Sequence, residues 1–525
     1  MKIQVLQGGN FKNYLHFHDI TTPKDLAILN DVKRIVTRSE YKPYIKAFNK
    51  NVTESFMLPN NLVPAQFIQD IQNSIFPLHG PITIENLHYI YDANWDDEFF
   101  QEWLDNIVLP EGFTVESDEY IYQKHALRNL LVTKTGRIKV GTGGGKTLIT
   151  YLYIKYLVDN ILRKLPEDSP NKILLVIDRK DLIIQTAAEF EKFDQPNLLN
   201  KNDYCVPLRI SSIYSGSKKL ANANVVIATW QSIVDYEPEW FNEFKVFMLD
   251  EAHKGKAYSI RKKIYNNLRN IEYSAGFTAT WPAYNTLDYL TLIAMFGPLV
   301  LSKSLRELID DGNVCDVLIV RIMLSYSPEE REFRKNLNES NPDLRGSELY
   351  LLEKKWFHNH HGRNMVCVSL IQALPNNHLI LVDTVAYIHL LAELFNEQVP
   401  DREVLIIWSD VSTETRQANK YKMQNEHGKI MIATKETMST GVSINNIWYV
   451  HNIDGGKSPI TTSQGLGRSL RKFEGKEKAH YFDYVDDIPY SSFKKHANER
   501  LKLFKAEKLE VTEIYKTIEP NDYGY

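Results

Sequence analysis

Cysteine is scarce. Cys205, Cys315 and Cys367 are the three in 525 residues, they lie far apart, and no Cys-x-x-Cys occurs. That excludes a cysteine-rich zinc module and a disulfide framework, and it fits a reducing, cytoplasmic setting. No run of about 18 apolar residues occurs, so no transmembrane helix is expected. The N-terminal MKIQVLQGGNFKNYLHFHD lacks the apolar core of a signal peptide. No low-complexity tract or solenoid-length repeat is visible. Positive charge is not in excess either. The net charge is −4, so binding to a polyanion must come from local patches. What remains is an ordinary globular composition, 43% hydrophobic and 24% charged. The length corresponds to about three to four domains.

The most informative stretch is Val140-Gly141-Thr142-Gly143-Gly144-Gly145-Lys146-Thr147. It follows a short run, Gly136 to Val140, and opens a segment rich in Leu, Ile and Tyr. Glycines before a helix let several backbone N–H groups converge on one anion. Lys146 would neutralise β- and γ-phosphates and the Thr147 hydroxyl would hold Mg²⁺. Val140 stands where G-x-x-x-x-G-K-[ST] has its first Gly, so a glycine-rich turn that binds nothing is the competing reading.

From Tyr120 apolar runs alternate with helical stretches, as in parallel α/β sheets. Ile173–Ile177, Val225–Thr229 and Val246–Leu249 read as buried strands, and Gly276–Thr280 ends a fourth. Asp178, Thr229, Asp250 and Thr278 fall at the strand ends, where such sheets carry function. Asp250 can hold Mg²⁺ and Glu251 can orient and deprotonate an attacking water. A second series follows a hinge at Asp310-Asp311-Gly312. Its strands are Val317–Ile322, Leu379–Val382, Val404–Trp408, Ile430–Ala433, Trp448–His451 and His480–Asp483. On a helix, Gln464, Arg468 and Arg471 would share one face. The two arginines could then reach a triphosphate or the phosphates of a nucleic acid. The bland readings are a helix cap for Asp250 and an exposed basic helix for the arginines.

The flanks are less specific. Between Phe11 and Lys50, eight Lys/Arg with interleaved aromatics suit phosphate contact and base stacking, or a solvated face over a small core. Residues 85–119 carry eleven acids and no Lys or Arg, and mark a boundary or a solvated helix. His16 and His18 flank Phe17; surface histidines on a strand outweigh a zinc pair there. Residues 491–510 form a basic amphipathic helix, with Phe493, Leu501, Leu503 and Phe504 apolar.

Together the motifs resemble a superfamily 2 helicase of the DExH type. Tyr122-Gln123 resembles the adenine-reading motif and residues 140–147 resemble motif I. Asp250-Glu251-Ala252-His253 is a literal DEAH box, Thr278-Ala279-Thr280 resembles S/T-A-T, and Gln464–Arg471 resembles Q-x-x-G-R-x-x-R. Val176–Gln185 resembles a segment of type I restriction motors. Ser409–Arg416, Ser439–Ser443 and the lysine-rich C-terminal helix resemble phage UvsW recombination helicases.

The resemblance implies two RecA-like parallel-sheet lobes preceded by a small α+β domain. The expected boundaries are 1–115 for an accessory, candidate DNA-binding domain, 116–312 for an ATP-binding lobe, 313–490 for a second lobe and 491–525 for a C-terminal helical extension. ATP would be held by Gln123, Thr142, Gly143, Gly144, Gly145, Lys146, Thr147 and Gly441, and Mg²⁺ by Thr147 and Asp250. Lys146, Asp250, Glu251, Gln464, Arg468 and Arg471 would act in hydrolysis, and His253, Thr278 and Thr280 would couple it to a strand contacted by Arg179, Thr229, Gln231 and Thr434. The implied activity is an ATP-dependent DNA helicase remodelling single-stranded or branched DNA in recombination, repair or replication. It would work as a monomer, off membranes, beside replication or recombination proteins. An RNA helicase, the motor of a restriction system and a silent DNA-binding scaffold are the alternatives. A loose nuclease pattern, Pro342-Asp343 with Glu353-Lys354-Lys355, falls where Leu349–Trp356 reads as helix.

Overall fold

In a computed structural model of the chain, the described residues are 1–7, 13–41, 51–92, 94–166, 168–199, 205–215, 222–257, 259–284, 286–341, 343–344, 346–438 and 444–520. The chain divides into two compact units, Met1–Val140 with Gly145–Lys303, and Gly141–Gly144 with Ser304–Tyr525.

The first unit opens with β1 (Lys2–Gln7), β2 (Asn13–His18), β3 (Thr37–Tyr41), β4 (Asn51–Ser55), β5 (Leu62–Pro64) and β6 (Ile84–Glu85). Strands β5-β2-β1-β6 form a mixed sheet and β3 and β4 a hairpin. Alternation places Ile3, Val5, Leu15 and Phe17 on one buried face. Helix Pro23–Ile35 covers that face with Ile28 and Val32, and starts at a Thr22–Asp25 capping box. The same core takes in Leu290 and Ile293 of helix Leu287–Phe296. His16 and His18 lie on one face of β2, their rings stacked at 5.2 Å.

The larger sheet of this unit comprises β7 (Thr135–Val140), β8 (Lys172–Ile177), β9 (Ile210–Ile213), β10 (Val225–Thr229), β11 (Phe244–Asp250), β12 (Tyr273–Thr278) and β13 (Leu299–Lys303). Their order is β13-β7-β12-β11-β8-β10-β9 and every pairing is parallel. Apolar residues run without alternation through β8, β10 and β11 because helices cover both faces of such a sheet. The acidic stretch is built into this unit. Asp96 caps helix Asp97–Asp105, which buries Phe100, Trp103 and Leu104. The Trp103 indole donates to Asp159 at 3.1 Å.

The second unit repeats the architecture with β14 (Asp316–Ser325), β15 (His378–Val382), β16 (Val404–Ile407), β17 (Ile430–Thr434), β18 (Tyr449–Asn452), β19 (Lys478–Asp486) and β20 (Glu510–Thr517). The order is β16-β17-β15-β18-β19-β14-β20, again all parallel. Two seven-stranded parallel sheets flanked by helices are two RecA-like lobes.

Helices Ser347–His358 and His361–Ala373 fill the charged stretch between β14 and β15. The C-terminal region begins with helix Ser492–Ala506. Its buried stripe is Phe493, Ala497, Arg500 and Phe504, so Arg500 lies on the apolar side. The chain then adds β20 beside β14, a strand absent from the helical reading, because the edge of β14 would otherwise be left unpaired. No helix among the described residues is long and apolar enough to cross a membrane.

Candidate active site

β7 delivers the chain into the glycine loop, and helix Lys146–Tyr156 leaves it. Val140 is fully buried, so the residue in place of the first Gly serves the core. Gly143 has φ +87° and Gly145 φ +76°, which only glycine adopts without strain. A Cβ on Gly145 would come within 2.2 Å of Gln123 Nε2, so that amide packs directly on the loop. Gln123 is 2% exposed. Its Nε2 donates to the Tyr122 hydroxyl at 3.3 Å, while Oε1 finds no hydrogen-bond partner among the described residues. A buried carbonyl without a donor is costly, and it fits the amino group of an adenine. Lys146 Nζ donates to the Val140 carbonyl at 3.0 Å, and the Gly144 N–H donates to the Gly141 carbonyl at 3.2 Å.

Two strands further into the sheet, β11 ends at Asp250 and the chain turns sharply. Glu251 has φ 49° and ψ 51°, a left-handed conformation unfavourable for a side chain of that length. The turn brings the DEAH box and the Thr-Ala-Thr segment into one network. His253 Nδ1 lies 2.9 Å from Thr278 Oγ1 and 3.4 Å from Glu251 Oε2. Thr278 Oγ1 is also 3.4 Å from Glu251 Oε2 and accepts the Thr280 N–H at 3.2 Å. Burial and the neighbouring Glu251 charge push the Asp250 carboxyl up to about 6, against the pull of Lys146. Two adjacent carboxylates are a donor set suited to a divalent cation, which would bring Asp250 back down. The Thr147 hydroxyl, on the first turn of the loop helix, is the other donor that fits it.

Elsewhere in this unit Thr229 Oγ1 donates to Ser232 Oγ at 2.8 Å, Gln231 is exposed, and Arg179 Nε lies 3.6 Å from Asp178. The second unit echoes the first of these. Thr434, at the end of β17, donates to Thr437 Oγ1 at 2.7 Å and accepts its N–H at 3.2 Å. Gly441 lies outside the described residues.

Helix Pro459–Ser469 carries Gln464 and Arg468 one turn apart, with Arg468 buried. Arg471 does not share that helical face. The helix stops at Ser469 because the Leu470 carbonyl accepts the Cys315 N–H at 2.8 Å, and Arg471 follows in a bend. Of the nuclease-like pattern, Pro342 lies outside the described residues and Glu353-Lys354-Lys355 falls on helix Ser347–His358, where the Glu353 carboxylate accepts the Ser492 N–H at 3.0 and 3.2 Å.

Comparison with known proteins agrees with this geometry. Residues 117–283 match the family described as type III restriction enzyme, res subunit, and residues 363–472 match the helicase conserved C-terminal domain. The chain belongs to the superfamily 2 helicases. It is thereby an ATP hydrolase, with one family domain on each lobe.

This helicase is 27% identical over 390 residues to the ATP-dependent DNA helicase uvsW of Enterobacteria phage T4, covering 74% of this chain and 72% of that protein. It is 23% identical over 279 residues to a type I restriction enzyme endonuclease subunit of Staphylococcus saprophyticus, 48% of this chain but 28% of that one. Its fold matches the DEAD-box helicase Mss116 bound to single-stranded RNA, with TM-score 0.53 at 17% identity over 82% of this chain and 79% of that one.

Further residues of this helicase support the candidate site, and of these Lys303 and Lys476 escaped the sequence reading. Asp178 ties three strand ends together, since Lys254 Nζ lies 2.5 Å and Trp230 Nε1 3.2 Å from its oxygens. Lys303 sits 3.8 Å over the Tyr122 ring. Buried Lys476 donates to the Ser469, Asn445 and Ile447 carbonyls at 3.0, 3.1 and 2.9 Å, fixing the C-terminal end of helix Pro459–Ser469. Burial lowers its ammonium to about 8. The strand-end rule already singled out Asp178; nothing local distinguishes Lys476 from a surface lysine.

Proposed function

We propose that this helicase is an ATP-driven motor on DNA that unwinds or remodels branched junctions. Its likeness to the phage T4 DNA helicase runs through both lobes and supports DNA as the substrate. The observation that carries the motor reading is the Glu251–His253–Thr278 network beside the glycine loop. It ties the group that would activate water to the segment that would report strand binding.

The roles follow from the chemistry of each group. Gln123 reads the adenine edge, and the loop N–H groups with Lys146 bind the phosphates of ATP. Thr147 and Asp250 hold Mg²⁺, which neutralises charge on the phosphoryl oxygens. Glu251 orients the attacking water and takes its proton. Gln464, Arg468 and Arg471 belong to the second lobe, where arginines would stabilise the transferring phosphoryl group. Arg179, Thr229, Gln231 and Thr434 are the proposed strand contacts. Thr278 and His253 shift their hydrogen bonds as Glu251 changes partner, which links turnover to lobe movement.

ATP turnover measured without nucleic acid, with single-stranded DNA, with a synthetic four-way junction and with single-stranded RNA tests the reading. The salt concentration must be held fixed, because phosphate contacts depend on it steeply. Strongest stimulation by the junction is expected. Stimulation by RNA alone would replace DNA with RNA as substrate, and no turnover under any condition would leave a binding scaffold.

A further inference from the structure

The second unit contains a cavity of about 640 Å³ that none of the roles above uses. That volume is within the range of small-ligand pockets. It lies off the C-terminal ends of β15 and β17, where Asp383 and Lys435 follow the last strand residues. The remaining wall comes from the start of helix Ser347–His358, the turn Gly455–Ser458, Thr461 and Thr462 on the first turn of the helix that carries Gln464, and the helix after Ser491.

The lining suits an anion. Gly346, at φ 54°, starts helix Ser347–His358 with no side-chain cap, so the positive end of a twelve-residue helix faces the cavity. Lys457 is exposed at one side, and Lys435 is buried at another. Lys435 Nζ is 3.1 Å from Asp383 and 2.6 Å from the Gly455 carbonyl. An ammonium has three donors, so one remains. The lone carboxylate in the wall, Asp383, is itself held by Lys354 at 2.5 Å.

Two rings complete the lining. Tyr350 and His496 have centroids 5.4 Å apart, and Tyr350 stacks on Phe493. His496 Nδ1 is shut from solvent and has no hydrogen-bond partner among the described residues. Burial, then the charges of Lys457, Arg500, Lys495 and Lys435, lower the His496 imidazole to about 4, which reports a positive field there. An anion site beside aromatic faces has the two recognition elements of a nucleotide unit, charge for phosphate and a ring for the base.

We propose that this cavity holds one nucleotide of the strand on which the motor acts, its phosphate at the Gly346–Ser347 helix start between Lys435 and Lys457 and its base against Tyr350. The inference rests on the nucleic-acid reading above, and the same chemistry would admit a free nucleoside monophosphate.

Two variants of the full chain test it. Ser347 is exposed at the first helical position, where an acid favours the helix but repels a phosphate. Ser347→Glu is therefore expected to keep the unfolding midpoint while weakening binding of a fluorescent 15-nucleotide DNA by about tenfold. Lys457→Ala should reduce the slope of log affinity against log salt by about one, a readout that a structural role would not move. ATP turnover without nucleic acid should be unchanged in both.

Wild-type affinity and salt slope in both variants would overturn the cavity while leaving the motor reading intact. No strand binding by the wild type at any salt would overturn the motor reading and this occupant together. Calorimetric titration with thymidine monophosphate separates the two sources: strand-only binding sensitive to Ser347→Glu supports the proposal, whereas monophosphate binding lost in Ser347→Glu without an effect on the strand would replace the occupant with a free nucleotide.

Discussion

The two lobes share a seven-stranded parallel sheet but treat the acids on or just after their strands in opposite ways. In the first, Asp250 and Glu251 sit side by side, and burial with the Glu251 charge pushes the Asp250 carboxyl up to about 6 against the pull of Lys146 and Lys254. In the second, Asp454, Asp483 and Asp486 are almost wholly buried and each is met by a cation or imidazole. Arg363 donates to Asp486 at 2.7 and 3.1 Å, and Arg500 to Asp483 at 2.6 Å. Burial alone would raise Asp454, yet His358 at 2.8 Å, with Lys435 and Lys354, holds it well below the usual range. Neutralised acids are architecture; a carboxyl pushed up by its neighbour can take a cation. What packs over an acid thus separates chemistry from structure.

The comparison breaks most visibly at the first lobe. Lys146→Ala and Glu251→Gln should each lower ATP turnover by at least about 10³-fold, as loss of a transition-state group does, with the unfolding midpoint unchanged. Near-normal turnover in either would remove these residues from the site. In the second lobe the same kind of change should act on folding. Arg363→Met leaves Asp486 buried without its cation, held by the Tyr326 hydroxyl, and should cost about 3–5 kcal/mol in denaturant unfolding. A cost below about 1 kcal/mol would show that water reaches Asp486 and that the pair is not architectural.

The candidate site of the first lobe was legible because its motifs are local. A glycine loop before a helix and two acids after an apolar strand are each read from fewer than ten residues. The central strands were legible for a similar reason: Ile173–Ile177 and Val225–Thr229 are continuous apolar runs. Edge strands were not. β20 carries Glu510, Glu513 and Lys516 and is largely exposed, so its sequence resembles a solvated tail until β14 is seen to lack a neighbour. The partners of the buried acids were hidden too. Arg363 and Arg500 lie 123 and 17 residues from the acids they meet, and Lys354 reaches Asp454 from a helix that also buries Glu353. For Arg500 a signal existed, since steps of four, three and four residues place Phe493, Ala497, Arg500 and Phe504 on one stripe.

Acid offers a finer test of the second lobe. His378 Nε2 faces the Leu374 carbonyl at 3.0 Å, which can only accept, so Nε2 carries the proton. Its Nδ1 then accepts from His451 Nε2 at 2.9 Å, and His451 Nδ1 accepts from the Tyr484 hydroxyl at 3.0 Å. Both rings are buried neutral; burial lowers His378 to about 3 and His451 well below its ordinary value. The unfolded chain takes up protons below about 6.5 while the folded one does not, so stability is full above that pH and falls as pH drops toward 3. For His378 alone the loss at pH 5 is about 2 kcal/mol. His378→Gln should flatten the decline of the unfolding midpoint between pH 6.5 and 4; an unchanged slope would mean that the ring is protonated in the fold.

Asp97→Asn should do least. Its pair with Arg128, at 2.5 and 2.7 Å, has ideal geometry but stands in solvent, where water offers both groups nearly the same interaction. An unfolding midpoint as sensitive to Asp97→Asn as to Arg363→Met would mean that burial is not what makes the second lobe's pairs matter.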